Sequence, residues 1–174
     1  MIIKFIRHAD SKNDKLTKLG KKQCKLAFKQ KDSISYSKIY SSSAGRCVRT
    51  ARYYQSKLKL QVEVVEGISE RELLKTKEPQ TEQEKLWYDN YLNPMFSNEE
   101  PEGCKEFLAR NFIEFNRIID EHIDKDENVI IVAHSGTFYA LMAYINGIQK
   151  NQDLIWYRLN NCAQVIVEIK SRIK

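Results

Sequence analysis

The chain opens on a short, nearly continuous apolar run from Ile2 to Ile6, which predicts a strand covered on both faces, because a half-exposed strand would alternate. After a polar loop, Leu16, Leu19, Gln23, Leu26 and Ala27 fall close to helical spacing. Thr17 stands where an N-terminal cap belongs, so a helix is expected from about Thr17 to Lys29. Lys38-Ile39-Tyr40 reads as a second strand. The Ser41-Ser42-Ser43-Ala44-Gly45 loop follows it, and helical character returns from Arg46 to Ser56. Val62 to Val65 is a third strand, and Val129-Ile130-Ile131-Val132-Ala133 is the clearest buried strand of all. A helix from about Gly136 to Ile145 follows, and Gln164 to Ile169 closes the chain as a strand. Two long helical patterns lie between, Glu82 to Leu92 and Glu106 to Ile123. Asn93-Pro94 ends the first, since the residue before proline avoids helical angles. Strands alternating with helices predict an α/β three-layer sandwich, a mostly parallel central sheet with helices on both faces. In such sheets ligands bind beyond the carboxyl ends of the strands.

Composition narrows the picture. A chain of 174 residues with 42% hydrophobic side chains can bury a full core, and one domain over 1–174 is expected. No apolar run approaches the roughly 18 residues of a membrane span, so a soluble, untargeted protein is expected. Cys24, Cys47, Cys104 and Cys162 are scattered without C-x-x-C spacing, which fits reduced thiols in a cytoplasm. The formal charge of +6 is concentrated near the start, at Lys12, Lys15, Lys18, Lys21, Lys22, Lys25, Lys29 and Lys31. That stretch lacks the aromatic stacking residues of a single-strand binder, and it reads as a solvated helix face, not a nucleic-acid site.

Candidate chemistry gathers at the predicted sheet edge. His8 lies just beyond the first strand and His134 just beyond the Val129 to Ala133 strand, so parallel pairing would bring them together. A lone histidine after a strand is most often structural. Two of them with two arginines are not. Arg7 precedes His8, Arg46 begins the helix after the second strand, and a guanidinium offers a planar fork of donors matching phosphate oxygens. Ser135-Gly136-Thr137 enters the next helix and can add backbone N–H groups and the positive end of its dipole. The edge is built for an oxyanion.

Four motifs then stand in order: Arg7-His8-Ala9; Leu16-Thr17-Lys18-Leu19-Gly20; Ser41-Ser42-Ser43-Ala44-Gly45-Arg46 with Thr50-Ala51; and His134-Ser135-Gly136. With them the chain resembles the histidine phosphatase, or phosphoglycerate mutase-like, superfamily, over nearly its whole length, in its small phosphatase branch. The resemblance implies that His8 is phosphorylated and that Arg7, Arg46 and His134 hold the phosphoryl group. It also implies that an acidic residue after the third strand protonates the leaving oxygen. Glu70, in Ser69-Glu70-Arg71-Glu72-Leu73, stands at the matching place, with Glu72 next in line. Ser11, Asn13 and Ser135 are further expected phosphate contacts. Three positions depart from the family pattern. Ala9 replaces the usual glycine, and Asp14 holds the place of a common asparagine, with Asn13 one place early. Gly103-Cys104-Lys105 stands for Gly-Glu-Ser and so lacks its acidic residue.

The chemistry explains these residue types. To attack phosphorus the His8 imidazole must be neutral, and an ordinary histidine is partly protonated near neutral pH. A cation at about 4 Å with an effective dielectric near 20 is worth roughly 4 kcal/mol, enough for the arginines to suppress protonation. Bound phosphate would offset those cations and favour proton uptake by Glu70. The reading is a metal-independent, acid-type phosphomonoester hydrolase with no cofactor, acting on a small phosphorylated metabolite. Alternatives are phosphoglycerate mutase-type phosphoryl transfer and an inactive module binding a phospho-ligand or nucleic acid. Residues 75–103, with Trp87, Tyr88, Tyr91, Leu92, Met95 and Phe96, form a core-packing stretch or a lid and specificity segment. Cys104 and Arg110 have the C-x5-R spacing of cysteine phosphatases. The bulky helical residues between them exclude a phosphate-cradling loop. His122 lies within an amphipathic helix, where packing is expected.

Overall fold

The computed structural model describes residues 1–30, 32–71, 102–147 and 159–171. The expected helix from Glu82 to Leu92, most of the 75–103 segment and Glu72 lie outside them. Seven strands are described: β1 (Ile2–Arg7), β2 (Ser11–Lys12), β3 (Lys15–Leu16), β4 (Lys38–Ser42), β5 (Gln61–Val65), β6 (Val129–Ala133) and β7 (Gln164–Glu168). The described α-helices are α1 (Lys18–Lys29), α2 (Gly45–Leu58), α3 (Cys104–His122) and α4 (Ser135–Asn146).

The main sheet runs β5-β4-β6-β1-β7, with β5, β4, β6 and β1 parallel and β7 antiparallel on the β1 edge. The inner strands β1, β4 and β6 are buried, as the apolar runs of β1 and β6 predict, whereas the edge strands β5 and β7 leave Val64 and Ile166 exposed. Ile3, Phe5, Val129, Ile131 and Ala133 pack on one face with Phe107, Phe115 and Ile118 of α3 and Phe138 and Leu141 of α4. Ile6, Ile39, Ile130 and Val132 pack on the other with Cys47, Ala51 and Tyr54 of α2. The three-layer α/β sandwich is therefore the observed architecture. His122 is buried at the end of α3, where it bonds to the Tyr40 hydroxyl at 2.7 Å and to Glu127 at 2.6 Å, a packing role.

Two local features differ from the sequence expectation. Residues 11–16 form a hairpin of two-residue strands, turned through Asn13 and Asp14 at positive φ of 49° and 57°. Short polar side chains tolerate that conformation, and strands this short leave no periodic signal. In α1 the buried stripe is Gly20, Cys24 and Ala27, while Leu19 and Leu26 are 55% and 52% exposed. The stripe keeps helical spacing but is one position displaced, because the helix must approach the loop after β1 closely. A Cβ on Gly20 would sit 2.0 Å from the Asp10 carbonyl oxygen. Thr17 caps this helix as expected, accepting from the Gly20 N–H at 3.0 Å.

Candidate active site

Register sets the site. Arg7 pairs with Ala133 across the adjacent parallel strands β1 and β6, so His8 and His134 leave the sheet side by side. The His8 N–H donates to the Ala133 carbonyl at 2.9 Å, and the two imidazole centroids lie 5.2 Å apart. Arg46, in the first turn of α2, reaches across both. Its Nε–H donates to His8 Nε2 at 3.2 Å, its Nη2 to His134 Nδ1 at 3.3 Å, and its Nη1 to Asp14 Oδ1 at 2.9 Å.

These bonds define both tautomers. In His8, Nδ1–H donates to the Ala9 carbonyl at 2.9 Å, which leaves the Nε2 lone pair directed at Arg46 and into the site. In His134, Nδ1 accepts from Arg46, so Nε2–H donates to the Ser42 hydroxyl at 2.9 Å. Burial, reinforced by Arg46 and Arg7 against the pull of the Ala9 carbonyl, lowers the His8 pKa to about 4. His134 is pushed down to about 2 by burial first, then by Arg46 and His8. Both rings are neutral at physiological pH. The arginines do contribute to neutral His8, but desolvation is the larger cause.

Glu70 follows the short 3-10 turn Glu66–Ile68 after β5. Its carboxyl lies over the start of α4, with Oε1 at 2.1 Å from where a Cβ on Gly136 would stand. Only a glycine admits the carboxylate there, beside N–H groups that lack intrahelical acceptors. Arg7 donates through Nη1 to the Leu159 carbonyl, which also accepts from the Ser135 hydroxyl at 3.3 Å. Arg7 and Ser135 are thus tied at one point, while His8, Arg46 and His134 form a continuous bonded group.

The hairpin residues differ in their ties to the site. Among the described residues, neither Ser11 nor Asn13 bonds to the two imidazoles or to Arg46. Ser11 is half-buried on β2, and Asn13 is exposed at the turn. Asp14 is the hairpin residue that reaches the site. Its backbone carbonyl accepts from Arg49 Nε at 3.2 Å, and a Cβ on Gly45 would lie 2.9 Å from its own, so the hairpin sits directly against α2. Ala9 is fully buried with Cys24, Ala27 and Cys162, and its N–H donates to Thr50 Oγ1 at 3.1 Å. Its methyl group packs into the interior.

Two partners were not foreseen. Ser42 holds His134, and only the serine run after Tyr40 hinted at it. Glu102 stands at the start of α3 and forms a two-pronged ion pair with Arg110, at 2.5 and 2.9 Å. An acidic residue is therefore present just before Gly103, although Gly103-Cys104-Lys105 lacks one.

The fold is a mostly parallel α/β sheet with two neutral imidazoles and a bridging guanidinium at its carboxyl edge. The chain belongs to the histidine phosphatase superfamily (branch 1), whose family model matches residues 3–173. Among solved structures it is similar to Bacillus stearothermophilus YhfR, at a TM-score of 0.77 and 19% identity over 98% of this chain and 92% of that one. The alpha-ribazole phosphatase from Shigella flexneri gives 0.76 and 19% over 99% and 92%. A mycobacterial glucosyl-3-phosphoglycerate phosphatase gives 0.75 and 18% over 95% and 88%. At these identities the likeness is one of fold. No curated protein matches the sequence. Among the described residues, no helix is long and apolar enough to cross a membrane.

Proposed function

We propose that the protein hydrolyses phosphomonoesters of small metabolites through a phosphohistidine on His8. The observation that carries this reading is the directed lone pair of His8 Nε2, held in a neutral ring beside Arg46 and His134. Nε2 attacks phosphorus, the ester P–O bond breaks, and Glu70 gives its proton to the leaving oxygen. Water then attacks the phosphoenzyme, passes a proton to the Glu70 carboxylate, and the P–N bond breaks to release phosphate. Arg7, Arg46 and the first N–H groups of α4 carry the charge of the phosphoryl oxygens. The Ala9 carbonyl on Nδ1–H supports the positive charge that the ring gains on phosphorylation.

Phosphatases among the solved structures of the same fold support a small phosphorylated substrate. Asp14 pairs with Arg46 at 2.9 Å and orients that guanidinium; as an anion it is not itself a phosphate contact. No step needs a metal. The four free, buried cysteines suit a reducing cytoplasm.

Turnover of p-nitrophenyl phosphate with and without His8 tests this reading. His8→Ala is expected to abolish it, with the far-UV circular dichroism spectrum retained, and wild-type turnover is expected to survive EDTA. Full activity in His8→Ala ends the mechanism. Glu70→Gln should slow phenyl phosphate far more than p-nitrophenyl phosphate, whose leaving group needs no proton. Equal slowing of both removes Glu70 as the acid.

A further inference from the structure

The segment from Gly67 to Glu70 carries the acid assigned above but is neither strand nor α-helix, so its backbone carbonyls need partners from elsewhere. Side chains supply them. Arg110 Nη1 donates to the Gly67 and Ser69 carbonyls, each at 2.8 Å, and Nη2 to the Glu70 carbonyl at 3.1 Å. The Thr137 hydroxyl donates to the carbonyl between them, Ile68, at 3.1 Å. Four consecutive carbonyls are thus captured, three by one guanidinium. The remaining N–H groups of Arg110 hold both oxygens of Glu102, and its carbon centre lies 4.9 Å from the centroid of the Phe107 ring. All five guanidinium N–H groups are used, so the fork is fixed in orientation as well as in place.

Phe107 also connects this clamp to the carboxyl. Its Cζ lies 3.4 Å from the position of a Cβ on Gly136, on the spot that Glu70 Oε1 overlies. The clamp and the acid are two ends of one packed unit joining α3, the turn and α4.

We propose that Arg110 is a positioning residue for catalysis: it sets the Glu70 carboxyl over the start of α4 by fixing the backbone that carries it. The inference rests on the assignment of Glu70 as the acid. Lysine keeps the positive charge but has three donors on one atom, which cannot span three carbonyls and a carboxylate. Displacing a catalytic group by about 1 Å can cost on the order of a hundredfold in rate.

The test is a leaving-group comparison in Arg110→Lys, alone and in the Glu70→Gln background, with thermal melts to confirm folding. Arg110→Lys should lower kcat for phenyl phosphate by about tenfold or more and for p-nitrophenyl phosphate by no more than about threefold. In the Glu70→Gln background the extra loss on phenyl phosphate should vanish, because the residue acts only through Glu70. Equal slowing of both substrates, or full additivity with Glu70→Gln, overturns the proposal. If Arg110→Lys does not fold, Glu102→Gln, which loosens the same fork, is expected to show the same discrimination, and its absence is equally decisive. A Glu70→Gln enzyme that does not discriminate leaving groups defeats the acid assignment and this inference with it. Discrimination there but not in Arg110→Lys defeats the inference alone.

Discussion

At the scale of single residues, a nucleophilic imidazole beside guanidinium groups has to stay neutral, and at His8 burial does more of this than charge. The arginine's second task is geometric, since Arg46 Nε–H occupies the Nε2 lone pair, which in the proposed mechanism it yields to phosphorus. Removing the charge should therefore shift His8 only in part. In the free enzyme, NMR titration of the His8 ring is expected to give a pKa of about 4. Arg46→Gln should raise that value while leaving it below 6.5. Titration of wild-type His8 near 6.5 would show that neither burial nor charge controls it.

Among elements, the start of α4 shows how one backbone position couples two parts of the chain. Gly136 is needed for the room it leaves, because the Glu70 carboxyl occupies the volume of a side chain there. In a helix, alanine in place of glycine is otherwise favourable by about 0.5–1 kcal/mol. Gly136→Ala is thus expected to lose activity by displacing Glu70, most on phenyl phosphate, with little loss of thermal stability. A variant with unchanged turnover on that substrate would place the acid elsewhere. Helix α1 makes the opposite use of small residues. Gly20, Cys24 and Ala27 face inward so that the helix can close on the loop after His8, and its leucines are left outside.

For the whole molecule, two histidines held neutral in the interior link folding to pH. An unfolded chain protonates each near 6.5, whereas the folded protein resists until about 4 at His8 and about 2 at His134. Between those values the unfolded state binds more protons, so stability rises with pH. Their contribution is fully present above about pH 6.5 and is lost as the pH falls through the two folded values. Urea unfolding should give a midpoint that falls from pH 6.5 to 4, and less steeply in His8→Asn than in the wild type. Identical slopes would mean that His8 is not held neutral by the fold.

Much of this was legible in the residues. The unbroken apolar runs of β1 and β6 marked buried parallel strands, and their common direction was enough to bring His8 and His134 to one edge. The four ordered motifs named the family. These signals are local, resting on periodicity, caps and residue type. What the sequence left open depends on contacts between segments distant along the chain. Asp14 rather than Asn13 meets Arg46 because a two-residue hairpin turns it there, and strands that short write no pattern. Ser42 holds His134 across 92 positions. Arg110, which in sequence looked like half of a rejected cysteine motif, acquires a role only when α3 lies against the turn bearing Glu70. Backbone carbonyls carry no residue identity, so only tertiary packing could decide that they are what Arg110 binds.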